Sequence, residues 1–198
     1  TEEQKEVSRA ALQNQHFRLA LAYSIDRASY ISQSLGEDLK YVCLRNSYVP
    51  GDFVSLEEDV TVDINGTPTS FEAGTFYGEI VQAQVTADGY PFKVWDEENH
   101  SSDGFDDWYN VENALSELEL AIEELGAMGY EVSAENPVVL DYPYSAYNET
   151  PTNQAVVLKT CIEQALGGVV QLSLIECQDA TENLNAWFNT NSGAEYNY

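Results

Sequence analysis

Residues 137–174 read PVVLDYPYSAYNETPTNQAVVLKTCIEQALGGVVQLSL, and this stretch decides the fold. Val138-Val139-Leu140 is a short apolar run after Pro137, the pattern of a buried strand. From Tyr142 to Glu149 the chain turns polar and aromatic, which reads as a loop. Thr150 is placed to cap a helix and Pro151 to open it, because the first turn has no use for the N–H that proline lacks. Ala155, Leu158, Ile162, Ala165 and Leu166 then fall on one side of that helix, and Gly167-Gly168 offers a left-handed stop. Val170, Leu172 and Leu174 alternate with polar residues as a second strand. Strand, helix and strand make a parallel crossover unit. The expected fold is α/β, a layered domain with a mixed, partly parallel sheet flanked by helices. Ligands of such sheets sit beyond the carboxyl ends of the strands, here the segment from Tyr142 to Asn153.

Working outward, Val111, Ala114, Leu115, Leu118, Ile122 and Leu125 form a continuous apolar stripe that ends at Gly126 and predicts a helix. Farther toward the amino end, Phe17, Ala20, Leu21, Ile25 and Ala28 recur at helical spacing, so one amphipathic helix is expected from a capping Asn14 to Ala28. A second short helix through Ile31 and Leu35 should stop at Gly36. Residues 41–56 lack a sustained period and hold Pro50-Gly51 at their centre, which predicts a strand leading into an ordered turn. Val60, Val62 and Ile64 alternate up to Asn65-Gly66, a hairpin signal weakened by Pro68 in the return run. Acidic and glycine-containing loops dominate the remainder up to 108, including DEENHSSDGFDD at 96–107.

The chain has 198 residues, enough for a core without staples, and 43% of them are hydrophobic, so it should fold as one globular domain spanning 1–198. Its 34 acidic and 8 basic residues leave a formal charge of −26, which repels phosphate backbones and argues against nucleic acid as a partner. Cys43, Cys161 and Cys177 are odd in number and widely spaced; they suggest small buried apolar side chains rather than disulfides or a zinc site. No run reaches the length of a membrane span and no basic start precedes an apolar stretch, so the chain reads as a mature segment.

Asn14-Gln15-His16-Phe17-Arg18-Leu19-Ala20-Leu21-Ala22-Tyr23-Ser24-Ile25-Asp26-Arg27 resembles the signature with which family 5 extracellular solute-binding proteins enter their second lobe. Leu44-Arg45-Asn46-Ser47-Tyr48-Val49-Pro50 is similar to that family's following segment, which ends in a Val-Pro turn. Asp103-Gly104 through Ala114, then Met128-Gly129-Tyr130, resembles the entry to and exit from its next helix. The resemblance implies lobe II of a type II periplasmic-binding-protein-like fold. It further implies a peptide ligand, a first lobe in the same full-length protein, an ABC permease as partner, and an extracellular, lipid-anchored location. The chain closes on Ala194-Glu195-Tyr196-Asn197-Tyr198, about where the family runs into its Gly-Trp-x-x-Asp-Tyr segment. Only one wall of a cleft is therefore expected here. Residues 57–107 fit the family poorly and read as an acidic insertion.

By the same resemblance, Ser47, Tyr48, Val49, Pro50, Asp52 and Phe53 of the first turn should line the ligand cleft, together with Tyr142, Tyr144, Ser145 and Asn148. Hydroxyls, amides and aromatic faces suit a binder that must accept varied peptides. His16 and His100 sit in no metal-binding pattern. The carboxylates Asp96, Glu97, Glu98, Asp103, Asp106 and Asp107 do not follow the EF-hand spacing, so neither a metal nor another cofactor is expected. No nucleophile signature occurs, which argues against an enzyme. Two rivals are an adhesion module of a surface lipoprotein, with the acidic insertion as its contact surface, and a secreted hydrolase using paired carboxylates.

Overall fold

The computed structural model describes residues 2–187. They form two compact units, one made of the chain up to Ser34 together with the stretch from Tyr109 onward, the other of Leu35–Trp108. The segment Ala194–Tyr198 lies outside the described residues. Among those described, no helix is long and apolar enough to cross a membrane.

The first unit is helical on its amino side. Helix α1 spans Glu2–Gln13, α2 Gln15–Ser24 and α3 Arg27–Leu35. The helix expected from Asn14 to Ala28 is therefore two helices. Asn14 caps α2 as anticipated, its Oδ1 accepting the Phe17 N–H at 2.9 Å. Ile25 is extended, however, and Asp26 takes the first N–H groups of a new helix: its Oδ1 accepts from the Ser29 amide at 2.8 Å. A carboxylate at a helix start also opposes the positive end of the dipole, so Asp26 favours restarting over continuing. Helix α3 stops before Gly36, whose φ of 81° suits a residue without a Cβ.

Helix α5, Val111–Ala127, packs against α2; Phe17 and Ala20 are buried on α2 and Ala114, Leu118, Ala121 and Leu125 on α5, the alanines on both helices allowing close approach. Strand β3, Val138–Ser145, and strand β4, Val170–Cys177, run parallel in register from Val138 opposite Val170 to Ser145 opposite Cys177. The expected loop at Tyr142–Glu149 is thus strand as far as Ser145. The eight residues of β4 offer hydrogen-bonding partners along that whole length, and tyrosines suit a pleated, half-buried surface. Helix α6, Glu149–Ala165, joins the two strands. Its N-cap is Asn148, two residues ahead of the expected Thr150, and Pro151 sits in the first turn, where its missing N–H costs nothing. Helices α1 and α6 and helix α7, Ala180–Trp187, pack on the strand pair.

In the second unit a 3₁₀ turn at Glu37–Leu39 leads into irregular chain. The strand expected in 41–56 does not form; Ser55 makes only an isolated bridge with Phe76. Strands β1, Val60–Ile64, and β2, Thr67–Phe71, make an antiparallel hairpin. Asn65 and Gly66 both have positive φ, 51° and 82°, the geometry that suits the twist of a two-residue hairpin turn. Helix α4, Tyr77–Ala87, follows, and Trp95, Val94, Phe92, Leu44 and Ile64 form the core. The fold is α/β, but its parallel and antiparallel pairs belong to separate two-stranded sheets instead of one mixed sheet.

The cysteines divide. Cys177 is buried and Cys161 half-buried, and burial pushes both thiols up from their ordinary range. Cys43 is exposed, in a turn that leaves it outside the core, contrary to the expectation for all three.

Candidate functional site

The first predicted set, Ser47–Phe53, lies on a turn of the second unit whose backbone is held at many points. Ser47 Oγ donates to the Val49 carbonyl at 2.8 Å, and the Phe53 N–H closes back on the Pro50 carbonyl at 3.1 Å. The Gly51 N–H donates to the buried Ser102 hydroxyl, while the Gly51 carbonyl accepts from Gly78 at 2.9 Å and the Val54 carbonyl from Tyr77 at 3.0 Å. Two glycines make this possible. A Cβ on Gly51 would meet the Trp95 indole at 2.6 Å, and one on Gly78 would overlap the same ring. Trp95 in turn rests against Phe76, with centroids 5.5 Å apart, and the side-chain oxygen of Gln82 accepts its amide N–H.

From this pinned turn the side chains project outward. Tyr48 is fully exposed and Phe53 is 74% exposed; Val49 and Asp52 are also exposed. A protruding aromatic pair on a held backbone can contact a ligand without a large loss of conformational freedom.

The second predicted set lies in the first unit, along the carboxyl half of β3 and the start of α6. Tyr142 is half-buried against Trp187, edge-on at 5.5 Å. Burial, with Tyr30 adding an unfavourable negative neighbour, pushes its hydroxyl up to about 12. Tyr144 reaches Glu176 at 3.4 Å across the sheet; burial and that carboxylate raise it too. Ser145 is half-buried and Asn148 is exposed at the helix start. Of these four, Tyr142 lines a groove of about 1010 Å³ that runs between α1, β3 and α6. Leu21, Ile25, Leu158 and Ile162 supply apolar lining, and Lys5 and Arg9 bring cations from α1. Sequence reading missed this groove because α1 carries a single buried residue, Ala11, and so no apolar stripe to detect.

The chain is 30% identical over 195 residues to oligopeptide-binding protein SarA of Streptococcus gordonii, covering 97% of this chain and 25% of that protein. It is related to the oligopeptide-binding proteins. Oligopeptide-binding proteins AmiA and AliA of Streptococcus pneumoniae match at 29% over 183 residues and 28% over 196 residues, covering 24% and 26% of their lengths. The chain spans about a quarter of the length of the curated relatives it matches. No family model matches it.

The two predicted sets of this chain belong to different compact units. His16 and His100 likewise fall in different units: His16 Nδ1 lies 2.6 Å from Glu117 on α5, and the His100 ring lies tilted against Phe76 at 5.8 Å. The carboxylates of 96–107 are used locally. Asp96 accepts from Asn99, whose amide holds its carboxyl below the ordinary range; Asp103 pairs with Arg45, and Asp107 accepts from Asn46. Among the described residues no group of three or more His, Cys, Asp or Glu is arranged to hold a metal ion.

Proposed function

We propose that this chain is the second lobe of an extracellular oligopeptide-binding protein that delivers peptides to an ABC importer and is held on the cell surface by a lipid in its full-length form. The observation that carries it is the match of 97% of the chain to an oligopeptide-binding protein at 30% identity. In this reading residues 1–198 form one lobe with an acidic insertion at 57–107, and the first lobe supplies the facing wall.

The physical task is binding, with no chemistry on the ligand. Ser47, Tyr48, Val49, Pro50, Asp52 and Phe53 in one unit, and Tyr142, Tyr144, Ser145 and Asn148 in the other, each supply polar groups for a peptide backbone and aromatic faces for side chains. Most of the affinity comes from closure of two walls, so this chain alone binds in a weak regime. Isothermal calorimetry of the native gene product tests this. Mixed short peptides should release or absorb heat with a saturable profile, and free amino acids and sugars should not. Saturable binding of a sugar with silence toward peptides would overturn the proposal.

A further inference from the structure

The turn at Tyr48–Val54 combines two properties that rarely coincide: its backbone is pinned, and its aromatic side chains are bare. Tyr48 is 103% exposed and Phe53 74%. Single exposed rings are common on soluble proteins, but two on one held turn put apolar surface where a partner can reach it.

The charges around it have one sign. Every ionisable acid or base from Asn46 to Asp63 other than Tyr48 is a carboxylate: Asp52, Glu57, Glu58, Asp59 and Asp63. Across Leu35–Trp108 sixteen acidic residues stand against three basic ones. Two of the three are already paired, Lys40 with Glu37 at 2.8 Å and Arg45 with Asp103 at 2.8 Å. The third, Lys93, exerts its pull on Asp96. An acidic ligand would meet uncompensated repulsion here, and a cationic one would be drawn in.

From this we infer that the Tyr48–Val54 turn selects cationic peptides that carry an aromatic or aliphatic residue beside a lysine or arginine. The apolar side chain packs on Tyr48 and Phe53, and the cation faces Asp52 and the Glu57–Asp59 run, with the Tyr48 ring offering its negative face as well. The selection deepens the peptide-binding proposal and rests on it.

The test is an NMR titration of the isotope-labelled chain with three pentapeptides of equal length: Lys-Phe-Gly-Phe-Lys, Ser-Phe-Gly-Phe-Ser and Glu-Phe-Gly-Phe-Glu. The cationic peptide should shift the amides of Tyr48–Val54 and bind about tenfold more tightly than the anionic one at low salt, the gap closing as salt screens the charges. Changing Glu57→Gln and Glu58→Gln together, both at exposed positions outside the predicted binding set, should narrow the preference and leave the neutral peptide unaffected. Equal binding of all three peptides would overturn the charge selection and leave peptide binding standing. Silence of the turn toward every peptide would overturn the selection and count against the peptide-binding proposal at this surface.

Discussion

Trp95 packs against Gly51 so closely that a methyl group on the glycine would come within 2.6 Å of the indole Cε3. Gly78 lies against the same ring atom, and its N–H bonds the Gly51 carbonyl at 2.9 Å. A buried indole therefore holds the turn that displays Tyr48 and Phe53. Gly78→Ala should destabilise the protein by about 1–3 kcal/mol, because overpacking forces the ring or the backbone to move. Gly126→Ala, in the last turn of α5 with open space around its Cα, should instead stabilise by about 0.4–1 kcal/mol. Urea denaturation followed by tryptophan fluorescence checks both; equal effects of the two would refute the packing account.

At the edge of β4, Glu163 accepts the Leu172 N–H at 3.0 Å and Lys159 donates to the Leu172 carbonyl, the two side chains lying 2.6 Å apart. The pair thus occupies backbone groups that an outer strand would otherwise need. Glu163→Ala should cost about 1–3 kcal/mol, since it leaves a partly buried N–H and a lysine without their acceptor. Lys159→Met should cost less, about 1 kcal/mol, and a double-mutant cycle should show the two coupled. Additive effects in chemical denaturation would contradict the shared role.

Asn14 does two jobs, capping α2 through Oδ1 and donating through Nδ2 to Glu124 on α5 at 2.6 Å. Asn14→Ala should lower stability by about 1 kcal/mol. Asn14→Asp keeps the cap acceptor but sets a carboxylate against Glu124, so it should recover only part of that loss at neutral pH. Thermal melts of the two variants decide it; full recovery would mean that the contact with Glu124 contributes nothing.

Tyr142 gives a pH dependence of defined sign. Its hydroxyl is raised to about 12 in the folded chain, above the ordinary tyrosine value of about 10. The folded state holds that proton more tightly, so the contribution is complete below about pH 10 and is lost as pH climbs toward about 12. Tyr142→Phe should flatten the decline of stability across that window. Denaturation midpoints taken on either side of it, with tyrosinate absorbance as a second readout, check the sign.

How far the sequence carried depended on the range of the interactions involved. The stripe from Val111 to Leu125, the Asn65-Gly66 turn and the crossover from Val138 to Leu174 are local patterns, and each became the element expected. Helices α1 and α4 each bury a single residue, Ala11 and Gly78, so they present no periodic apolar face to read. The break at Ile25 was legible only as Asp26, a cap hidden inside an otherwise helical run. Pro50-Gly51 announced a turn, yet what fixes it is Trp95, far along the chain, and no local pattern encodes such a contact. Tyr142 to Ser145 looked like loop because polar and aromatic residues alternate there; parallel pairing with β4 overrode that composition.

The most direct test of the central claim is to purify the native gene product without denaturing it and to identify by mass spectrometry what it releases on unfolding. Bound peptide binding-protein ligand should appear as a mixture of short peptides, enriched in those with lysine or arginine beside an apolar residue. Release of one defined non-peptide solute, or of nothing after saturation with peptides, would contradict it.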